Sequence, residues 1–268
     1  AMEEISAVDA SAGVIMSVNN SLVCYLIEHF GNDFQKEKYL TQLSTGKKLG
    51  AFSLSEPQSG SDASNMITTA VKDGDHYILN GTKNWVTNGI NSDLVLVFAL
   101  TTKEIGHKGI SCFIVEKGSS GFECGKAEDK LGIRASDTCE LYFDNVKVSS
   151  KNLVGKEGEG FKIALATLDG GRIGIAAQAL GIAKASLDAS LVYSKEREQF
   201  GKPISSNQAI QFKIADMAME IEAARLLTWK AAWLKDNKQN FSSLASMAKV
   251  YASEVAMRAS TQCVQIHG

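Results

Sequence analysis

Gly50-Ala51-Phe52-Ser53-Leu54-Ser55-Glu56-Pro57-Gln58-Ser59-Gly60-Ser61-Asp62 is where the chain changes from one structural period to another. Its first half, with Ala51, Phe52 and Leu54, is the short apolar run of a strand, and Glu56-Pro57 then breaks it into a loop of small residues. Few bulky Cβ groups stand in this loop. Main-chain N–H groups and the hydroxyls of Ser55, Ser59 and Ser61 can therefore converge on a phosphate or a polar ring. The same residues also suit a solvated turn joining two strands.

Before this stretch the period is helical. Residues 3–29 carry Ile5, Val8, Ala12, Ile15, Met16, Leu22 and Leu26 at helical spacing, and Gly31 stands where a helix stops. A second helix is predicted over residues 33–43, with Phe34, Tyr39, Leu40 and Leu43 on one side, and Thr45-Gly46-Lys47-Lys48 marks a boundary. After it the period is that of strands. Ala70-Val71 and His76-Tyr77-Ile78-Leu79 flank a turn-forming Lys72-Asp73-Gly74-Asp75, and Asn80-Gly81 is a strong hairpin signal. Strands are also predicted at residues 84–87, 94–100, 110–115 and 140–148, a spacing that indicates a small barrel or sandwich.

Beyond Gly155 and Gly158 the chain is helical again. A short helix is predicted over residues 161–168, interrupted by Asp169-Gly170-Gly171 because each helical glycine costs about 1 kcal/mol. Asp169 then opens a long helix whose positive end it suits, with Arg172 in the first turn. Ile173, Ala176, Leu180, Ala183, Leu187 and Leu191 give that helix one buried stripe. Two more helices are predicted, over residues 206–235 and from Ser242 onward. Helices, then strands, then helices speak for separate domains and against a βαβ sheet. The expected division is 1–47, part of an N-terminal helical domain; 48–157, a central β domain; and 158–268, an incomplete C-terminal helical bundle.

A length of 268 residues suggests two domains or pieces of three, and 44% hydrophobic with 22% charged residues is the composition of an ordinary folded protein. A net charge of −2 lacks the basic footprint of a nucleic-acid binder. No apolar run is read as approaching the ~20 residues of a membrane span, so no membrane insertion is expected. Five scattered cysteines and four scattered histidines argue against a disulfide scaffold or a metal site and for a reducing compartment. No Gly-x-Gly-x-x-Gly lies between a strand and a helix, so nothing supports a nicotinamide fold.

Five ordered motifs resemble the acyl-CoA dehydrogenase family of FAD enzymes, most closely its short-chain (butyryl-CoA) members. They are Leu54-Ser55-Glu56-Pro57 with Ser59-Gly60-Ser61-Asp62; residues 80–89, NGTKNWVTNG; residues 167–176, TLDGGRIGIA; residues 197–204, REQFGKPI, with Gln208-Ala209-Ile210; and Val264-Gln265-Ile266-His267-Gly268, the start of a Gln-x-x-Gly-Gly element. The resemblance implies a multidomain α and β fold: N-terminal helices, a central β-barrel or sandwich and a C-terminal helical bundle. It also implies FAD-dependent α,β-dehydrogenation of a short-chain acyl-CoA to the trans-2-enoyl-CoA in fatty acid or amino acid catabolism. Electrons would pass to an electron-transfer flavoprotein. Two alternatives stay open, an acyl-CoA oxidase using oxygen and an inactive flavin- and CoA-binding assembly module.

Carried over residue by residue, the resemblance makes Phe52, Leu54, Ser55, Gly60 and Ser61 one side of the FAD site. Trp85, Val86 and Thr87 form the flavin wall. Ser61, Asp169, Gly170, Gly171 and Arg172 would meet the acyl-CoA. Arg197, Phe200, Gln208, Gln265 and Gly268 would reach the FAD of a neighbouring subunit, so a homo-oligomer is implied, a dimer of dimers. Lys130 to Ser136 also follows the family and reads as a structural loop. Bacterial cytoplasm or mitochondrial matrix is the expected location. The chain departs from the pattern at Ser53 and Asn65. It also has no catalytic glutamate: most members carry it downstream of the Gln-x-x-Gly-Gly element, and in a minority the position is that of Gly171. Both ends are therefore expected to be cuts in a longer protein, with the base beyond Gly268.

Overall fold

The computed structural model describes residues 1–268, which divide into two compact units, Ile15–Leu168 and Ala1–Val14 with Asp169–Gly268. In chain order the helices α1 (Met2–Val8), α2 (Ala10–Ser17), α3 (Tyr25–Phe30), α4 (Asp33–Gln35) and α5 (Thr41–Ser44) come first, with π-helical turns at Val18–Cys24 and Lys36–Leu40. The strands are β1 (Gly50–Ser53), β2 (Thr69–Asp73), β3 (His76–Thr87), β4 (Leu94–Leu100), β5 (Ile110–Glu116), β6 (Phe122–Cys124), β7 (Thr138–Ser149) and β8 (Leu153–Val154). Three long helices follow, α6 (Gly160–Glu196), α7 (Gln208–Asp236) and α8 (Ser242–His267), with a two-stranded ribbon of β9 (Glu198–Gln199) and β10 (Lys202–Pro203) between the first two. The helical, sheet and helical content is that of the fold class expected from the sequence.

All eight strands join one sheet in the order β6-β7-β3-β2-β4-β5-β8, and β1 adds to β4 in parallel. Strand β4 reads as an unbroken apolar run because both its faces are covered. Leu94, Leu96 and Phe98 enter one cluster with Val23, Leu26, Ile27, Tyr39 and Leu43 from the preceding helices. Val95, Val97 and Ala99 enter another with Tyr77, Leu79, Val86, Leu141 and Phe143 inside the rolled sheet. The helical unit packs through small side chains: Ala176 and Ala183 on α6, Ala224 on α7, and Ala248, Ala252 and Ala259 on α8. Alanine at these contacts lets helix backbones approach closely.

Three expectations are corrected. Asn80-Gly81 is not a hairpin turn but lies inside the 12-residue strand β3, at a register shift against β7. Gly81 has φ +148, and a Cβ there would lie 2.4 Å from the Thr68 hydroxyl oxygen, so the glycine answers a close strand contact. The turn signal was outweighed by the apolar residues on either side, Tyr77, Leu79 and Val86, which all reach the same interior.

The second correction concerns Asp169-Gly170-Gly171, through which α6 runs unbroken for 37 residues. Both glycines are buried, and a Cβ on Gly170 would meet the Lys235 ammonium at 2.8 Å. Helix propagation over 37 residues outweighs their poor propensity. Asp169 is therefore a mid-helix residue and no cap; it pairs with Arg172 one turn on.

Finally, two helical segments are long and apolar enough to cross a membrane by length and composition, Ala10–Phe30 and Gly160–Glu196. Ile163, Ala164, Val23 and Leu26 on these segments are buried core residues, which accounts for their apolar character.

Candidate functional site

The site grows out of the corner where β1 leaves the sheet. Ser55 follows Leu54 into the loop, and its carbonyl accepts the Asn84 N–H at 2.8 Å. This one bond brings the serine-rich loop against the far end of β3. There the alternation of inward side chains, Tyr77, Leu79 and Lys83, skips a step before resuming at Val86. The register against β7 shifts between Lys83 and Val86. A bulge of this kind re-aims side chains, and Trp85, with φ 58, turns outward and is 61% exposed. Its N–H is held by the Asn84 side chain at 2.8 Å. An aromatic residue in the left-handed region costs on the order of 1 to 3 kcal/mol and marks a place to look for function.

Around Trp85 the expected flavin-site residues divide by what they can offer. Phe52 is half-buried with its ring 5.0 Å from that of Phe98. Leu54 and Val86 turn their side chains into the core, so only their main chains face the corner. Ser55 and Thr87 are half-buried, and Gly60 and Ser61 are exposed, with nothing within 4 Å of where a Gly60 Cβ would stand. Ser59 is a correction: it is fully buried and its hydroxyl donates to the Asp62 carbonyl at 2.7 Å, so it shapes the turn and is not offered to a ligand. Glu56 and Ser59 close that turn through paired main-chain bonds of 2.9 and 3.0 Å.

Beneath the corner lies a feature that the sequence reading missed. The Glu56 carboxylate and the Lys83 ammonium are both fully buried and 2.8 Å apart. Glu56 also accepts the Ile67 N–H at 2.6 Å, the Thr68 N–H at 3.1 Å and the Gln58 amide at 2.7 Å. Lys83 donates to the Leu54 carbonyl at 3.1 Å and faces the Met66 sulfur at 3.9 Å. A signal was available: Lys83 falls on the inward phase of β3, where a lone lysine needs a partner. Burial raises the Glu56 carboxyl, but the Lys83 ammonium and the Ile67 and Thr68 donors outweigh it and hold it below the usual carboxylate range. Burial draws the Lys83 ammonium below its usual value, and the Glu56 carboxylate 2.8 Å away works against that and favours the charged form.

A depressed carboxyl stabilises the fold above its unfolded value of about 4.3, and that stability is lost as pH falls through the folded value. Urea titrations from neutral to acid pH are expected to show this loss in the wild-type protein. The part owed to Glu56 is expected to be missing in a Glu56→Gln, Lys83→Met double variant. Parallel pH profiles for the two proteins would show that Glu56 is not linked to folding.

Asn88, buried with φ 66, ties the end of β3 to its surroundings by donating to the Gly50 carbonyl at 3.2 Å and the Ile15 carbonyl at 3.3 Å. In the helical unit, Asp169 and Arg172 pair with each other, and Gly170 and Gly171 are buried. Arg197, Phe200, Gln208, Gln265 and Gly268 are all exposed. Tyr193, whose carbonyl accepts the Arg197 N–H, stacks on His267 with ring centroids 4.3 Å apart, bringing the last turn of α8 to the end of α6. Gln265 and Gly268 line a cavity of about 460 Å³ with Lys213, Thr261, Gln262 and Val264.

An outward aromatic face flanked by hydroxyls and open main chain fits a flat heteroaromatic ring with a polar edge, which is what an isoalloxazine presents. The fold is of the class that joins a sheet unit to a unit of long helices. Family models for acyl-CoA dehydrogenases match along the chain: the N-terminal domain over residues 1–47, the middle domain over 51–146 and the C-terminal domain over 158–268. The chain is 53% identical over its whole length to the mitochondrial short-chain specific acyl-CoA dehydrogenase of Mus musculus, of which it spans 65%. It is 53% identical to an acyl-CoA dehydrogenase of Bacillus subtilis, of which it spans 71%. Among solved structures, the butyryl-CoA dehydrogenase of Megasphaera elsdenii superposes with a TM-score of 0.98 at 52% identity, covering 100% of this chain and 70% of that one. A chain from a structure described as the electron transferring flavoprotein of Acidaminococcus fermentans superposes at 0.99 with 55% identity, covering 100% and 70%. The chain belongs to the acyl-CoA dehydrogenase family.

Proposed function

We propose that the protein desaturates a short-chain acyl-CoA thioester to the trans-2-enoyl-CoA with FAD and passes the electrons to an electron-transfer flavoprotein. The observation that carries this is the Asn84-to-Ser55 hydrogen bond of 2.8 Å, which sets an outward Trp85 beside the serine corner. Bound FAD supplies the acceptor for the hydride from the substrate's Cβ. The protein's share is positioning and electrostatics. Trp85 and Phe52 back the ring, the Ser55 and Thr87 hydroxyls serve its polar edge, and the open main chain at Gly60-Ser61 approaches the diphosphate. Leu54 and Val86 contribute main chain only. Ser61 also serves the thioester arm, and Asp169 to Arg172 serve CoA, the Asp169 carboxylate steering Arg172.

Arg197, Phe200, Gln208, Gln265 and Gly268 are assigned to the FAD of a neighbouring copy. Self-association is supported by Phe212, Met219, Leu226 and Trp233, exposed large apolar side chains at seven-residue steps along α7. Such a contiguous stripe is the mark of an interaction face. The three-part division at 1–47, 48–157 and 158–268 and a location in bacterial cytoplasm or mitochondrial matrix belong to the same proposal.

Anaerobic addition of butyryl-CoA to a full-length, FAD-loaded version is expected to bleach the oxidised-flavin band at roughly 450 nm. Electron-transfer flavoprotein should then restore the colour much faster than air. Rapid recovery in air would make the protein an oxidase. No bleaching with any acyl-CoA would make it a binding module, and failure of the protein to take up FAD would end the reading.

A further inference from the structure

Resting on that reading of the site, we propose that the buried Glu56–Lys83 pair is a positioning device that fixes the gap between the serine corner and the Trp85 bulge. Each member sits directly beside a site element. Glu56 follows Ser55, and Lys83 precedes Asn84-Trp85. The ion pair of 2.8 Å therefore runs parallel to the main-chain bond of 2.8 Å from Asn84 to Ser55, and the two form a double tie between loop and strand. The tie reaches further back into the loop. Lys83 holds the Leu54 carbonyl at 3.1 Å, and Glu56 gathers the Ile67 and Thr68 N–H groups at 2.6 and 3.1 Å, so both ends of the loop over residues 54–68 are fastened to one point on β3.

Two features set this pair apart from an ordinary structural ion pair. Replacing a buried pair by apolar residues of similar volume is often neutral or stabilising, so its presence points to a reason other than stability. Lys83 is also the last inward residue before the skipped step. With its ammonium anchored inside, the extra residue of the bulge has to be taken up at Asn84-Trp85, and Trp85 is turned out in the left-handed region with φ 58. An apolar residue at 83 would keep the inward phase but would leave the loop on the single Asn84-to-Ser55 bond, because nothing would then hold the Leu54 carbonyl and the Glu56 carboxylate to β3.

The Glu56→Gln, Lys83→Met double variant tests this, since it removes both charges at nearly constant volume and leaves no charge buried alone. It is expected to fold, with global amide protection close to wild type. Exchange at the Asn84 and Trp85 amides should rise about tenfold or more, the loss of one to two charge-assisted bonds. FAD affinity of the apoprotein should weaken by a similar factor, with a shifted absorption envelope in the fraction bound. A merely structural pair would change protection throughout the sheet and leave the bound-flavin spectrum alone. Wild-type exchange at Asn84 and Trp85 in the double variant would overturn the proposal. So would wild-type FAD affinity with an unshifted spectrum. If the wild-type protein itself takes up no FAD, the reading of the site fails while the exchange measurement still decides whether the tie exists.

Discussion

Lys83→Met alone is expected to lower stability by about 3 to 5 kcal/mol, because it leaves the Glu56 carboxylate buried without its counter-ion. Glu56 would keep the Ile67 and Thr68 N–H groups, at 2.6 and 3.1 Å, but these are neutral donors and cannot balance a charge sealed from water. Urea unfolding would show a lower midpoint at unchanged slope. Adding Glu56→Gln should return most of the lost stability. The pair then separates two quantities: the stability that returns in the double variant, and the order at Trp85 that does not. A single variant as stable as wild type would mean that Glu56 takes up a proton at neutral pH once Lys83 is gone.

Gly81→Ala is the second large effect, at about 2 to 6 kcal/mol, from a left-handed backbone forced on alanine and from overpacking. The φ of +148 is unfavourable for any L side chain, and the new methyl would lie 2.4 Å from the Thr68 hydroxyl oxygen and 2.8 Å from its Cα. Thr68 cannot retreat easily, since its N–H is bound to Glu56. Gly74→Ala serves as the control. Gly74 also has positive φ, +60, but nothing lies within 4 Å of a Cβ there, so about 1 kcal/mol is expected from the backbone alone. Equal losses at the two positions in urea titrations would show that the contact with Thr68 carries no weight.

Both variants bear on residues whose meaning was only half legible. Asn80-Gly81 carried a genuine requirement for an unusual backbone, and the residue types announced it. Whether that requirement served a turn or a bulge depended on Thr68, which crowds Gly81 from the preceding loop, and on β7, which pairs with β3 on both sides of the shift. Likewise Asp169-Gly170-Gly171 reads as a break when each residue is scored by its own propensity. In the fold the two glycines are buried inside a helix of 37 residues, whose cooperativity carries them in spite of their propensity. Ser59 looked like a ligand group because serine loops often are; its burial against the Asp62 carbonyl could not be inferred from loop composition.

What the sequence determined by itself was the order of helices, strands and helices, the strand at residues 94–100 and the motifs that carry the family resemblance. These are local properties, since hydrophobic period and residue type need no knowledge of distant contacts. Only the tertiary structure decided that Trp85 faces outward beside Ser55 and that Glu56 and Lys83 meet inside. The physical reason is that a bulge or a buried charge is stable only with its partner in place, and here that partner lies some 27 residues away along the chain.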